Sequence, residues 1–498
     1  MGLSFNEAYK IWRNRARHCS AESLISAALL TLHEPAADAM EDLKRAPWNV
    51  LLLVKWVCQD RSIDNVRHPV TRDEFDQLRQ ALWDLPDVVD LSIGETLPFR
   101  LFLRQRLHQQ LEFQRRFIVG FVREAALLSV ENAEHPLKKL FEDKTGLTLC
   151  QFLDLSYAVA AEILHGTKSI TLAWFERFGD TWGAHTVERF LANISRTLPE
   201  LRAFCRALPD ANEKVVSEYF AFTVLSRYPF LRVGDQFHCW HPAVFFRGME
   251  GFVHSVLSEA NSDYIEPFSR LFERHVVAEA QSIGVPLFGE SILAEWLPKD
   301  TEVPDGLLAY GRCNIFIESK AGIFSESVMT VGHSTMFAHK TKALLKGAMQ
   351  GWSAATGLHA NAKAPPEIAA ADINYLLIVT NKELNAGRGT SVASMYPDGK
   401  FAPPNEAAKR LLPLEHIYVI SIADFERLLA AVRAGDLDLP TFLGDCVTQD
   451  SDSQTMVFSL HQHLDRLGIA RRSSALVQDA ADSTYARLEA LVQRHQNP

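Results

Sequence analysis

Apolar positions recur at helical spacing through most of the first 250 residues. "LPFRLFLRQRLHQQLEFQRRFIVGFVREAALLSV" keeps that period over many turns, as do "LTLCQFLDLSYAVAAEIL" and "WGAHTVERFLANISRTLPELRAFCRAL". Strand-like alternation is almost absent there. The exception, "YPFLRVGDQFHCWHP", predicts a short hairpin around Gly234-Asp235. Beyond about residue 255 the texture changes. "DYIEPFSRLFERHVVAEAQSIG" reads as a helix ending at Gly284, followed by the β-rich runs "DGLLAYG", "CNIFIESKA", "INYLLIVTN" and "EHIYVISI". A helix, "HKTKALLKGAMQGWSAATG", separates the second run from the third. Another, "ADFERLLAAVRAG", follows the fourth, with a cap expected at Ala423-Asp424. The reading is an α/β domain with a mixed central sheet flanked by helices, preceded by a large, mostly α-helical domain. Its bounds are 1–250 for the helical domain, 251–435 for the α/β domain and 436–498 for a helical C-terminal extension. "NAGRGTSVASMYPDGKFAPPNE" reads as a long loop beside the sheet, of a length that often carries function.

Composition narrows the class. The chain is 47% apolar and 22% charged, as expected of a globular protein with a sizeable core. No apolar run reaches the length of a membrane span, so no transmembrane helix is expected, and the N-terminus lacks a signal-peptide core. Seven scattered cysteines without a CxxC pair argue for reduced thiols in a cytoplasmic protein over a disulfide framework or a structural zinc site. "HCWH", His238 to His241, packs its metal-type residues too closely for a tetrahedral site and reads as a polar turn before a helix. The net charge of −10 argues against a protein coated in nucleic acid but leaves room for a local basic groove. There is no phosphate-cradling GxxxxGK[ST] loop, and no helix-turn-helix or zinc finger.

The stretch "VPDGLLAYGRCNIFIESKAG" holds the strongest chemical signal. In an extended "CNIFIESKA", Asn314, Phe316, Glu318 and Lys320 share one face. A two-residue turn at Gly311-Arg312 suits a type II′ hairpin. That register sets Tyr310 against Cys313, Leu308 against Ile315 and Asp305 against Glu318. Directly opposed side chains have Cβ atoms about 5 Å apart. Two carboxylates so close repel unless a cation lies between them. Mg²⁺ takes such oxygen ligands, and Lys320 stands beside the pair. The plain alternative is a charged strand end with a turn acid after Pro304.

Pro304-Asp305, then Glu318-Ser319-Lys320 after an apolar strand, resembles the PD-(D/E)xK nuclease superfamily, the restriction-endonuclease-like enzymes. The resemblance covers residues 255 to 435 and implies a four-stranded mixed sheet in αβββαβ order and metal-dependent cleavage of DNA. By the same resemblance, Asp305 and Glu318 are expected as ligands of Mg²⁺ (or Mn²⁺), with the backbone carbonyl of Ser319 as another. Lys320 is expected as the catalytic lysine. Glu273 corresponds to an acid that many members add from the first helix; it reads equally as a surface acid, and Glu290 is a rival. Gln350 resembles the glutamine of a Q-x-x-x-Y motif, although Ala354 stands where that motif has tyrosine.

His339, Lys342, Lys346 and Gln350 form a polar stripe on one predicted helix, opposite Leu345, Ala348, Met349 and Trp352. Such a stripe suits a phosphate backbone, or is a solvated face. Arg100, Arg104, Arg106, Arg115, Arg116 and Arg123 form a second basic cluster, a track for DNA or a partner, or a charged helix surface. The expected function is a metal-dependent deoxyribonuclease, an endonuclease of bacterial anti-phage defence, with RNA not excluded as substrate. The alternatives are an inactive nuclease-fold scaffold acting with a partner, and a repair or mobile-element nuclease. The helical domain is expected to sense, to regulate, or to mediate self-association or binding of a partner protein.

Overall fold

The structure is a computed structural model. It describes residues 3–35, 46–63, 65–88, 98–111, 113, 120–129, 134–176, 179–259, 262–299, 301–322, 325–360 and 363–496. The chain forms two compact units. One contains Met1–Thr96, Arg106–Asn261 and Asp479–Pro498, and the other Leu97–Gln105 and Ser262–Gln478.

The first unit is mostly helical. One hydrophobic cluster, drawn from several helices, surrounds Trp56, against which Phe5, Tyr9 and Trp12 pack edge-on. It also holds a small mixed sheet, ordered Ser169–Thr171, Gln236–Cys239, Phe230–Val233, Ser195–Thr197. The middle two strands are the expected hairpin, with Val233 opposite Gln236 and Gly234 at a left-handed φ of +60°. "HCWH" runs off its end. His241 is the N-cap of helix Pro242–Ser258, its Nδ1 accepting from the Ala243 N–H at 3.1 Å. Cys239 and Trp240 are buried. Among the described residues no single helix is long and apolar enough to cross a membrane.

The second unit is built on helix α1 (Ser262–Gln281), strand β1 (Leu287–Gly289), α2 (Glu290–Trp296), β2 (Gly306–Tyr310) and β3 (Cys313–Lys320). Then come α3 (Ser334–Lys340), α4 (Lys342–Ala360), β4 (Ile373–Thr380), β5 (Ile417–Ser421), α5 (Ile422–Arg433) and α6 (Leu460–Arg466). The five strands lie in chain order. β1, β2 and β3 are antiparallel neighbours, whereas β4 and β5 continue parallel to β3. The extra strand relative to the sequence reading is β1, three residues too short to show a period. Continuous apolar runs in β4 and β5 fit strands buried on both faces. Phe316, Leu376, Ile378 and Val419 pack with Leu344, Ala348 and Trp352 of α4 in one hydrophobic cluster.

Four sequence readings are corrected. Residues 436–498 are not a separate extension: α6 packs on β5, while the end of the last helix belongs to the helical unit, where Arg487 holds Asp154 at 2.7 Å. The Gly/Pro/Ser-rich loop is largely folded. It contains helix Gly389–Met395 and runs into helix Glu406–Leu411 at its last residue, and Val392, Met395, Tyr396 and Phe401 join the core. The cap of α5 is Ser421, whose Oγ accepts from the Asp424 N–H. The basic cluster is no single surface. Arg104 is fully buried, donating to the Leu384 and Val328 carbonyls at 2.5 and 2.6 Å beside the Phe337 ring, and Arg100 lies over Phe458. Arg106 lies over Tyr219 and Phe220. Arg115 and Arg116 fall outside the described residues.

Candidate active site

The β2–β3 hairpin sets the site. Tyr310 pairs with Cys313 and Leu308 with Ile315, and the ladder runs back to Gly306 opposite Ile317. The left-handed φ, +63°, falls at Gly311 and not at Arg312, as a type II′ turn requires. Asp305 lies one step beyond the ladder. Its Oδ2 accepts the Ser319 N–H at 2.6 Å, which ties the acid across the strand end to the residue between Glu318 and Lys320. Glu318 and Lys320 point to the same side, and Lys320 Nζ donates to Glu318 Oε1. Lys320 Nζ also donates to Gln350 Oε1 at 3.2 Å, and Gln350 Nε2 donates to the Val303 carbonyl at 2.9 Å.

These groups line one cleft of about 500 Å³, together with Glu273 of α1, Glu290 at the start of α2, and Lys340 and Lys342 around the α3–α4 break. Glu318 is 1% exposed, and its Oε2 is buried without a hydrogen-bond partner. Burial first, then the charge of Asp305, pushes its carboxyl up to about 8 despite the Lys320 ammonium. Glu273 is displaced upward too, by burial and then by Asp305 and Glu290. Crowded carboxyls with an orphaned buried oxygen are electrostatically incomplete. They fit a hard divalent cation, whose charge would reverse both displacements.

The predicted stripe is divided. Thr341 has φ −110° and ψ 22°, and its Oγ1 bonds the Phe337 carbonyl and the Tyr396 hydroxyl, so α3 and α4 are separate helices. His339 therefore sits on α3, exposed and away from the cleft lining. Lys346 is exposed and pairs with Glu302 at 3.2 Å. Lys342 reaches the cleft rim, and Gln350 is buried at its wall. Lys340 was missed by the sequence reading; its Nζ donates to Ser327 Oγ at 2.8 Å.

A second cluster able to hold a metal ion was also missed. Glu383, Asp424 and His461 bring ligand atoms within 4.8 Å of one another. His461 Nδ1 is 3.8 Å from Asp424 Oδ2 and 4.0 Å from Glu383 Oε2. The three residues come from the segment after β4, the first turn of α5 and the first turn of α6. No protein-family model, curated protein or solved structure matches this chain significantly.

Proposed function

We propose that this protein is a metal-dependent nuclease that hydrolyses phosphodiester bonds of DNA at the cleft between α1, α4 and the β2–β3 hairpin. The observation that carries the proposal is the buried, partnerless Oε2 of Glu318, flanked by Asp305 and Lys320 in an open cleft. Asp305 and Glu318 would hold Mg²⁺ or Mn²⁺, with Glu273 and the Ser319 backbone carbonyl as further oxygen donors. A divalent ion so held would supply a Lewis acid able to polarise a phosphoryl oxygen and to lower the pKa of a bound water. Lys320 sets an ammonium on the cleft wall, steadied by Gln350, to offset negative charge developing on the phosphorus oxygens. Lys340 and Lys342 at the rim attract the backbone phosphates of the substrate.

The test is a cleavage panel of supercoiled, linear and single-stranded DNA and of RNA, with and without Mg²⁺ or Mn²⁺. Asp305→Ala and Lys320→Ala are expected to abolish cleavage while the circular-dichroism spectrum stays unchanged. If either variant cuts as fast as the parent, the assignment is wrong. Calorimetry on Glu318→Gln and His461→Ala tells which cluster takes the ion. Metal affinity indifferent to Glu318 would favour a nuclease-fold binding protein instead.

A further inference from the structure

We infer that Gly347 is a positioning residue of this site, an inference that rests on the metal-dependent reading above. Helix α4 crosses the end of β3 at Gly347, which is buried in the helix. A Cβ built there would lie 3.2 Å from Glu318 Cγ, 3.4 Å from Lys320 Cε and 3.5 Å from Ile378 Cδ1. The two nearest neighbours are therefore the stems of the acid and the lysine. The third is the residue opposite Glu318 on β4. Glycine in a helix interior weakens the helix relative to alanine, so local stability gives no reason for it here. Its bare Cα lets the helix lie low enough for Gln350, one turn further on, to reach both Lys320 and the Val303 carbonyl. The same helix thus fixes the pair twice, by leaving out a side chain at 347 and by supplying an amide at 350. A methyl at 347 forces the Glu318 stem to shift by a few tenths of an ångström and comes into van der Waals contact with Lys320 Cε and Ile378 Cδ1. Glu318, at 1% exposure, has little room to yield toward solvent.

The experiment uses the full chain, with Mn²⁺ titration by calorimetry and Mg²⁺-dependent cleavage kinetics side by side. Since small misplacements of catalytic groups cost rate steeply, Gly347→Ala is expected to lower kcat about tenfold and Mn²⁺ affinity about fivefold, with KM within about twofold. Its melting temperature should be no lower than the parent's, because alanine favours the helix. Ile378→Val removes the Cδ1 behind Glu318. Combined with Gly347→Ala it should restore most of the lost metal affinity. Gly347→Ala with parental affinity and kcat overturns the inference. So does a loss that comes with a lowered melting temperature and is not relieved by Ile378→Val, since the helix would then have moved as a whole. A parent that binds Mn²⁺ through Glu318 but cuts nothing sinks the nuclease reading alone, while the affinity loss in Gly347→Ala still supports positioning. A parent that binds no metal sinks both.

Discussion

Replacing Glu318 by glutamine should make the metal-free protein more stable and inactive at once. In the fold the Glu318 carboxyl is displaced upward from 4.5 to about 8, chiefly by burial and then by Asp305. Between those values the unfolded chain sheds the proton while the folded chain keeps it. Stability therefore falls as pH rises from about 4.5 to about 8 and levels off above. At about 1.4 kcal/mol per pH unit of displacement, the ceiling is about 5 kcal/mol. That displacement already counts the contact with the largely buried Lys320, so with glutamine standing for the protonated acid a gain of a few kcal/mol, below that ceiling, is expected at pH 9. At pH 4.5 the gap should nearly vanish, because the parent is then mostly protonated as well. Urea unfolding with a chelator at both pH values measures this. Mg²⁺ at a hundred times its dissociation constant should then raise the parent by about 2.7 kcal/mol and leave the variant unchanged. A variant less stable than the parent at pH 9, or a gap that does not depend on pH, would mean that burial does not hold the Glu318 carboxyl protonated.

Arg104→Met should cost about 3 kcal/mol in urea unfolding, because it leaves the Leu384 and Val328 carbonyls without their buried donor. Lys340→Ala and Lys342→Ala should each weaken nucleic-acid binding several-fold and flatten the log–log salt dependence by about one unit, with kcat preserved. Asp450 is pushed up by burial, but hydrogen bonds from His463 and the Val457 N–H outweigh this and hold its carboxyl below 3.8. Its stabilisation is therefore present at neutral pH and lost as pH falls below about 4, so Asp450→Asn should flatten the acid limb of a melting-temperature profile.

What could be read from the sequence follows the range of the interactions. The hairpin was legible because a period of two and one glycine turn fix it within a single short stretch. Counting inward from Asp305 and Glu318 meets at Gly311, where the left-handed φ is found. The break at Thr341 was not legible, because the tyrosine that helps hold its hydroxyl lies 55 residues away. Without the break, His339 counts as part of a stripe that does not exist. Arg104 misled for a similar reason. An arginine among arginines reads as surface unless its acceptors are known, and these lie 224 and 280 residues further along. The Glu383, Asp424 and His461 cluster is assembled from three segments at the ends of separate elements, so no spacing announces it. Gly347 is the sharpest case: within its helix it is only a weak helix former, and it acquires a reason when β3 is laid beneath it. The acids and lysine of the site are thus written locally, and the parts that hold them at working distance are written in the packing of α4 on the sheet.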